Sequence, residues 1–226
     1  MPAVGPGMGE NRGDVWAVVH RERRLLYDQL ARVPPEAWEE PSPCPGWSVH
    51  DVVAHLVDTA RTTRLGFVLG LARAGFDFDR QNARGVAAAR GVTPAETLER
   101  LRAVVDRRTT PPAPLATRLV EAFVHGEDVR GPLGLVGDYP GRWVGAALEL
   151  QARTGTGLGG AREHVAGLRL AADDVDLVLG EGPAVTGPVI SLLCAASGRA
   201  DHLEQLAGDG VPLLGHRLFQ AARPPR

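Results

Sequence analysis

Apolar residues recur at helical spacing through the first two thirds of the chain. Val15, Val18, Val19, Leu25, Leu26 and Leu30 share one side of a predicted helix that Asp14 can N-cap and Pro34-Pro35 ends. A Pro-rich connection leads to Ser48, where Ser48-x-x-Asp51 has the pattern of a capping box with Asp in the Glu position. The helix it opens carries a stripe of Val49, Val52, Val53, Leu56, Val57 and Ala60. A third helix is predicted from Pro94 through Leu98, Leu101 and Val104-Val105, broken by the run RRTTPPAP. A fourth covers about Leu115 to Arg130 and stops at Gly131-Pro132. Four helices with polar, Pro-broken connections predict a bundle, although the stretch from Ala74 to Gly91 is long for a bundle loop.

A further helix, Arg142 to Thr154, leads out of the bundle to the turn-forming run GTGLGG at 155–160. Beyond it the period changes. Leu168-Arg169-Leu170 and Val175 to Leu179 alternate like short strands, Pro188 to Ala196 has the composition of a buried helix, and Val211 to Leu214 is predicted as a last short strand. The expected fold class is therefore α+β, mainly α. It divides into a tail at 1–13, a helical bundle at 14–155 and a small α+β domain at 156–226.

Composition narrows the function classes. A formal net charge of -2 gives no electrostatic reason to expect nucleic acid or an anionic membrane as partner. No apolar run approaches the roughly 20 residues of a membrane span, and the N-terminus lacks the apolar core of a signal peptide. Two cysteines, Cys44 and Cys194, make no disulfide framework, so the expectation is a soluble, cytoplasmic protein. All 25 basic residues are Arg and Ile190 is the single isoleucine, the mark of a GC-rich genome.

Two segments concentrate the candidate chemistry: PSPCPGWSVHDVVAHL at 41–56 and EAFVHGEDVRGPLG at 121–134. Glu121 and His125 are four apart on a predicted helix, so both leave one face a turn apart. That spacing suits two ligands of one metal, and equally a solvated pair. Periodicity alone puts Glu121, His125 and Asp128 opposite their helix's apolar stripe and His55 on the flank of its own.

In this order and separation, the two segments resemble the mycothiol-dependent maleylpyruvate isomerase family, a branch of the DinB-like metal-dependent four-helix bundles with a C-terminal α+β domain. The resemblance covers most of residues 15–214, and the family's actinobacterial range agrees with the Arg-only composition. It implies that His55, Glu121 and His125 hold one divalent metal, zinc foremost, with nickel, iron or manganese also suited to imidazole and carboxylate. It implies mycothiol as a cofactor supplying the nucleophilic thiol, and a small electrophilic substrate. Asp128 is a candidate to orient a ligand imidazole through its second nitrogen, and Arg130 a candidate to grip a substrate carboxylate.

Other residues receive bland readings. His50 is read as a solvated histidine at a helix start. Cys44, flanked by prolines with no neighbouring base or cation in sequence, is read as loop packing, as are Trp38 and Trp47. Cys194 is read as core, and His164, His202 and His216 lack ligand spacing. The implied activity is cis–trans isomerisation through reversible thiol addition. A mycothiol S-transferase is the enzymatic alternative, and a non-catalytic metal- or ligand-binding regulatory module the other.

Overall fold

Seven α-helices make up the first part of the computed structural model, which describes residues 12–222. They are α1 (Arg12–Leu30), α2 (Val49–Arg61), α3 (Arg64–Arg73), α4 (Phe78–Ala89), α5 (Pro94–Arg102), α6 (Thr117–Arg130) and α7 (Gly141–Arg153). The helix starts follow from local chemistry. Ser48 and Asp51 form the reciprocal capping box, and Thr63, Asp77 and Thr93 each accept a backbone N–H of the first turn of the helix they open. Helix α2 is the hub of the bundle, packed against α4, α5 and α6, while α1 packs against α5 and α6. Leu26, Leu30, Trp38, Val53, Val57, Leu101 and Val129 form the core around it.

The second half begins with a short helix, α8 (Arg162–Val165). Strands β1 (Arg169–Ala172), β2 (Val178–Leu179) and β3 (Ala184–Gly187), then helices α9 (Val189–Ala196) and α10 (Val211–Ala221), complete the described chain. The sheet order is β2-β1-β3, with β1 antiparallel to β2 and parallel to β3, so Leu170 lies between Leu179 and Val185. The fold is mainly α with this small sheet, as the periodicity predicts. A second core crosses the 155 region: Val15, Val19, Phe123, Trp143 and Leu148 pack with Leu168, Val185, Leu193 and Leu214.

Several readings need correction. Asp14 is not an N-cap, since α1 already runs from Arg12 and places Asp14 in its first turn; the rest of the expected tail lies outside the described residues. Residues 74–91 are not a long loop, because α3 and α4 form a helical hairpin between α2 and α5. Val211 to Leu214 is the start of a helix: Pro212 sits in its first turn, and the buried pair Leu214 and Leu218 keeps helical spacing beyond the four residues that looked like a strand. The segment Ala184–Gly187, bounded by glycine and proline, is a strand that the alternation did not mark. No helix among the described residues is long and apolar enough to cross a membrane.

Candidate metal centre

The loop before α2 is shaped by its own sequence. Trp47 N–H donates to the Cys44 carbonyl at 3.0 Å, closing a four-residue turn with Pro45 second and Gly46 third. Gly46 has φ +77°, which the third position of a type II turn requires and a Cβ would oppose. The turn aims Trp47 at His55, ring centroids 5.1 Å apart, and the Cys44 thiol at α6.

His55 is 7% exposed. The flank position that looked like surface is covered because α2 is surrounded by neighbouring helices. Burial, then the neighbouring His125 and Arg118, push its pKa down to about 4, so the ring is neutral near pH 7. Its ring meets that of His125 edge to face, centroids 4.9 Å apart. The Nδ1 atom of His55 is buried and has no hydrogen-bond partner.

Helix α6 contributes four polar groups. Glu121 accepts a hydrogen bond from the Thr59 hydroxyl and an ion pair from Arg118 at 2.7 Å. Burial opposes ionisation of Glu121, but Arg118, His55 and the Thr59 bond outweigh it and hold the carboxyl below its usual range. Asp128 Oδ2 lies 2.8 Å from His125 Nδ1. Arg199, from the segment after α9, grips Asp128 through both oxygens at 2.9 and 2.6 Å. Burial again opposes the charge, and the bonds from Arg199 and His125 keep Asp128 well below the carboxylate range.

Cys44 donates its S–H to Asp128 at 3.2 Å and lies 3.5 Å from Arg199. Burial and the Asp128 charge push its pKa up to about 12, so it remains a thiol. Among the described residues, the donor atoms of Cys44, His125 and Asp128 lie within 4.8 Å of one another, the spacing of a potential cation site. Arg199 already neutralises that group. The expected trio of His55, Glu121 and His125 is not drawn together in that way among the described residues: the His55 and His125 rings meet, and the buried His55 Nδ1 has no hydrogen-bond partner, while Glu121 is turned to Thr59 and Arg118.

The remaining sequence candidates separate clearly. Arg130 is 1% exposed and its guanidinium is committed to Gln29, Tyr139 and Glu22, so it cannot be a substrate grip in this arrangement. His50 is buried rather than solvated, lying 2.7 Å from the Thr97 hydroxyl and 3.2 Å from Glu39. Arg199, Arg118 and Thr59 carried no local signal. Arg199 in particular lies 71 positions from its partner, in a segment whose composition marks only a turn.

Residues 19–113 match the family model for the mycothiol maleylpyruvate isomerase N-terminal domain. That stretch is similar to the family's N-terminal domain and takes in less than half of the chain. The family match covers α2 with His55 and ends before α6. Two crystal structures, of the mycothiol-dependent maleylpyruvate isomerase and of a histidine-to-alanine mutant, share the fold at TM-score 0.62. They are 18% and 17% identical to this chain, covering 88% of it and 93% of each of those chains. Two uncharacterized proteins of Mycobacterium tuberculosis, strains ATCC 25618 / H37Rv and CDC 1551 / Oshkosh, are 33% identical over 135 residues. That alignment takes in 47% of this chain and 51% of each relative, so the chain spans about half the length of the curated relatives it matches.

Proposed function

We propose that this protein is a metal-dependent enzyme that uses a small thiol, mycothiol by family analogy, to attack an electrophilic substrate, with isomerisation as the leading outcome. The observation that carries this reading is the buried His55 ring with its orphaned nitrogen, set edge to face against the partly exposed His125, beside the ionised Glu121. His55, Glu121 and His125 would hold the cation, for which zinc is the first choice. Two imidazoles and a carboxylate leave coordination positions open, as in catalytic rather than structural sites. When bound, the cation would supply a Lewis acid that favours the thiolate form of a coordinating thiol at neutral pH.

The chain's own residues prepare that site. Ionised Asp128 accepts the proton-bearing Nδ1 of His125, which leaves Nε2 as the free lone pair. Arg199 fixes Asp128 in turn, so the orientation of His125 depends on the second half of the chain. Glu121 must exchange part of its contact with Thr59 and Arg118 to serve as a ligand. Cys44 is held as an S–H donor, so the nucleophilic sulfur is external. Isomerisation and S-transfer would share this apparatus and differ in whether the thiol leaves again. A cytoplasmic setting agrees with a cofactor of that kind.

Elemental analysis of the purified protein, with mycothiol titrated before and after chelation, tests the reading. One metal per chain that is required for thiol binding supports it. Thiol binding indifferent to the metal would sink it.

A further inference from the structure

Helix α3 differs from every other long helix of the fold in burying none of its residues. Its inner side is spent on α4: a Cβ at Gly70 would stand 3.2 Å from Gln81, and the Phe67 ring lies 6.2 Å from that of Phe78. The outer side carries Leu65, Val68 and Leu69 at the i, i+3, i+4 spacing of a packing stripe. Phe76 and Phe78 extend it at the turn into α4. These five side chains are 44–75% exposed. Phe76 is also the one described non-glycine residue with positive φ, at 63°, a conformation that costs energy and holds the ring outward.

We infer that the outer face of α3 and the α3–α4 turn form the two-fold interface of a homodimer. The apolar surface left bare is on the order of 500 Å², toward the upper end of what a monomer exposes in one patch. With its polar margin it approaches the roughly 800 Å² per partner of a standard interface. The charges favour a second copy. Arg64 and Arg73 are nine positions apart, which places them on opposite flanks of the stripe. Antiparallel pairing about a two-fold sets each flank against the same flank of the other copy, so the two arginines do not oppose one another. Asp77 and Asp79 follow the C-terminal end of α3, where the other copy brings the start of its own helix with exposed Arg61 and Arg64. The interface is independent of the metal-centre reading.

Sedimentation velocity of the full chain across about 1 to 100 µM tests this. The wild type should rise with concentration toward twice the 24.0 kDa chain mass. Leu65→Glu combined with Val68→Glu should weaken association at least about 100-fold and leave a folded monomer throughout. Val92→Glu, at an exposed position away from this face, should dimerise like the wild type. A Leu69→Cys variant places a thiol near the axis and should form an intermolecular disulfide under mild oxidation. A wild type that stays monomeric at the highest concentration, or a dimer indifferent to the double glutamate variant, overturns the inference. Monomers that instead co-sediment with phosphatidylglycerol vesicles, and lose this with the same variant, overturn it in favour of a lipid surface.

Discussion

Arg199 and Asp128 join the two halves of the chain at the candidate centre: both carboxylate oxygens of Asp128, three residues past His125, are held by a guanidinium 71 positions away. Removing one partner of a buried pair leaves a charge without compensation, which costs about 3–5 kcal/mol. Arg199→Met should lower the stability of the metal-free protein by that order in urea unfolding and weaken metal binding about 10- to 100-fold. Adding Asp128→Asn should restore stability but not affinity. Equal metal affinity in wild type and Arg199→Met would dissociate Asp128 from the orientation of His125.

The two possible donor sets predict opposite results. For the His55–Glu121–His125 set, His55→Ala and Glu121→Gln each lose stoichiometric metal and remain folded, whereas Cys44→Ser retains it. For Cys44, His125 and Asp128, the pattern reverses. His125→Ala fails in both cases and serves as the common control. Metal content after gel filtration reads the difference.

Cys44→Ser should also keep thiol-dependent turnover within about threefold, since a serine hydroxyl preserves the donation to Asp128 without supplying a nucleophilic sulfur. Complete loss in a folded variant would make Cys44 the reacting group.

Acid should destabilise the metal-free protein before the carboxylates titrate. Burial pushes His55 down to about 4, and it holds His50 below its ordinary 6.5 despite the bond to Glu39. The unfolded chain binds these protons near pH 6.5 and the folded one only at lower pH. Stability is therefore fully present above that value and falls as pH drops toward 4, by up to about 3 kcal/mol for His55. Urea midpoints of chelated protein at about pH 7.5 and 5 measure the slope. His50→Gln, which keeps a partner for Thr97, should make it shallower.

Truncation after Gly155 should not leave an intact bundle. It would strip Leu168, Val185, Leu193 and Leu214 from Val15, Phe123, Trp143 and Leu148. We expect the full chain to unfold in one transition and the 1–155 fragment to show weakened near-UV circular dichroism. A cooperative fragment that still binds metal would show that the bundle is autonomous.

Legibility from sequence followed the range of each interaction. The Ser48–Asp51 cap, the Pro45-Gly46 turn and the stripes of α1 and α2 are local patterns that the residues state directly. The α3–α4 hairpin escaped notice because α3 is apolar all round and shows little periodicity against its neighbours. Helical phase alone leaves His55 on a flank, and a first-turn position leaves His50 in solvent, because each describes one helix, whereas burial on α2 depends on three others. Resemblance singled out His55, Glu121 and His125. Arg199 was beyond reach, since its role exists only once α9 packs against α6 and α7.

The arginine at 199 also limits how freely the halves could be exchanged among relatives. A foreign C-terminal half grafted at the 155 region would bring its own sheet and apolar face, and could pack well. Unless it also delivered a guanidinium at this spot, it would bury the Asp128 carboxylate uncompensated beside His125. Compatibility between halves is thus set by one charge as much as by shape, and a well-packed chimera can still be inert.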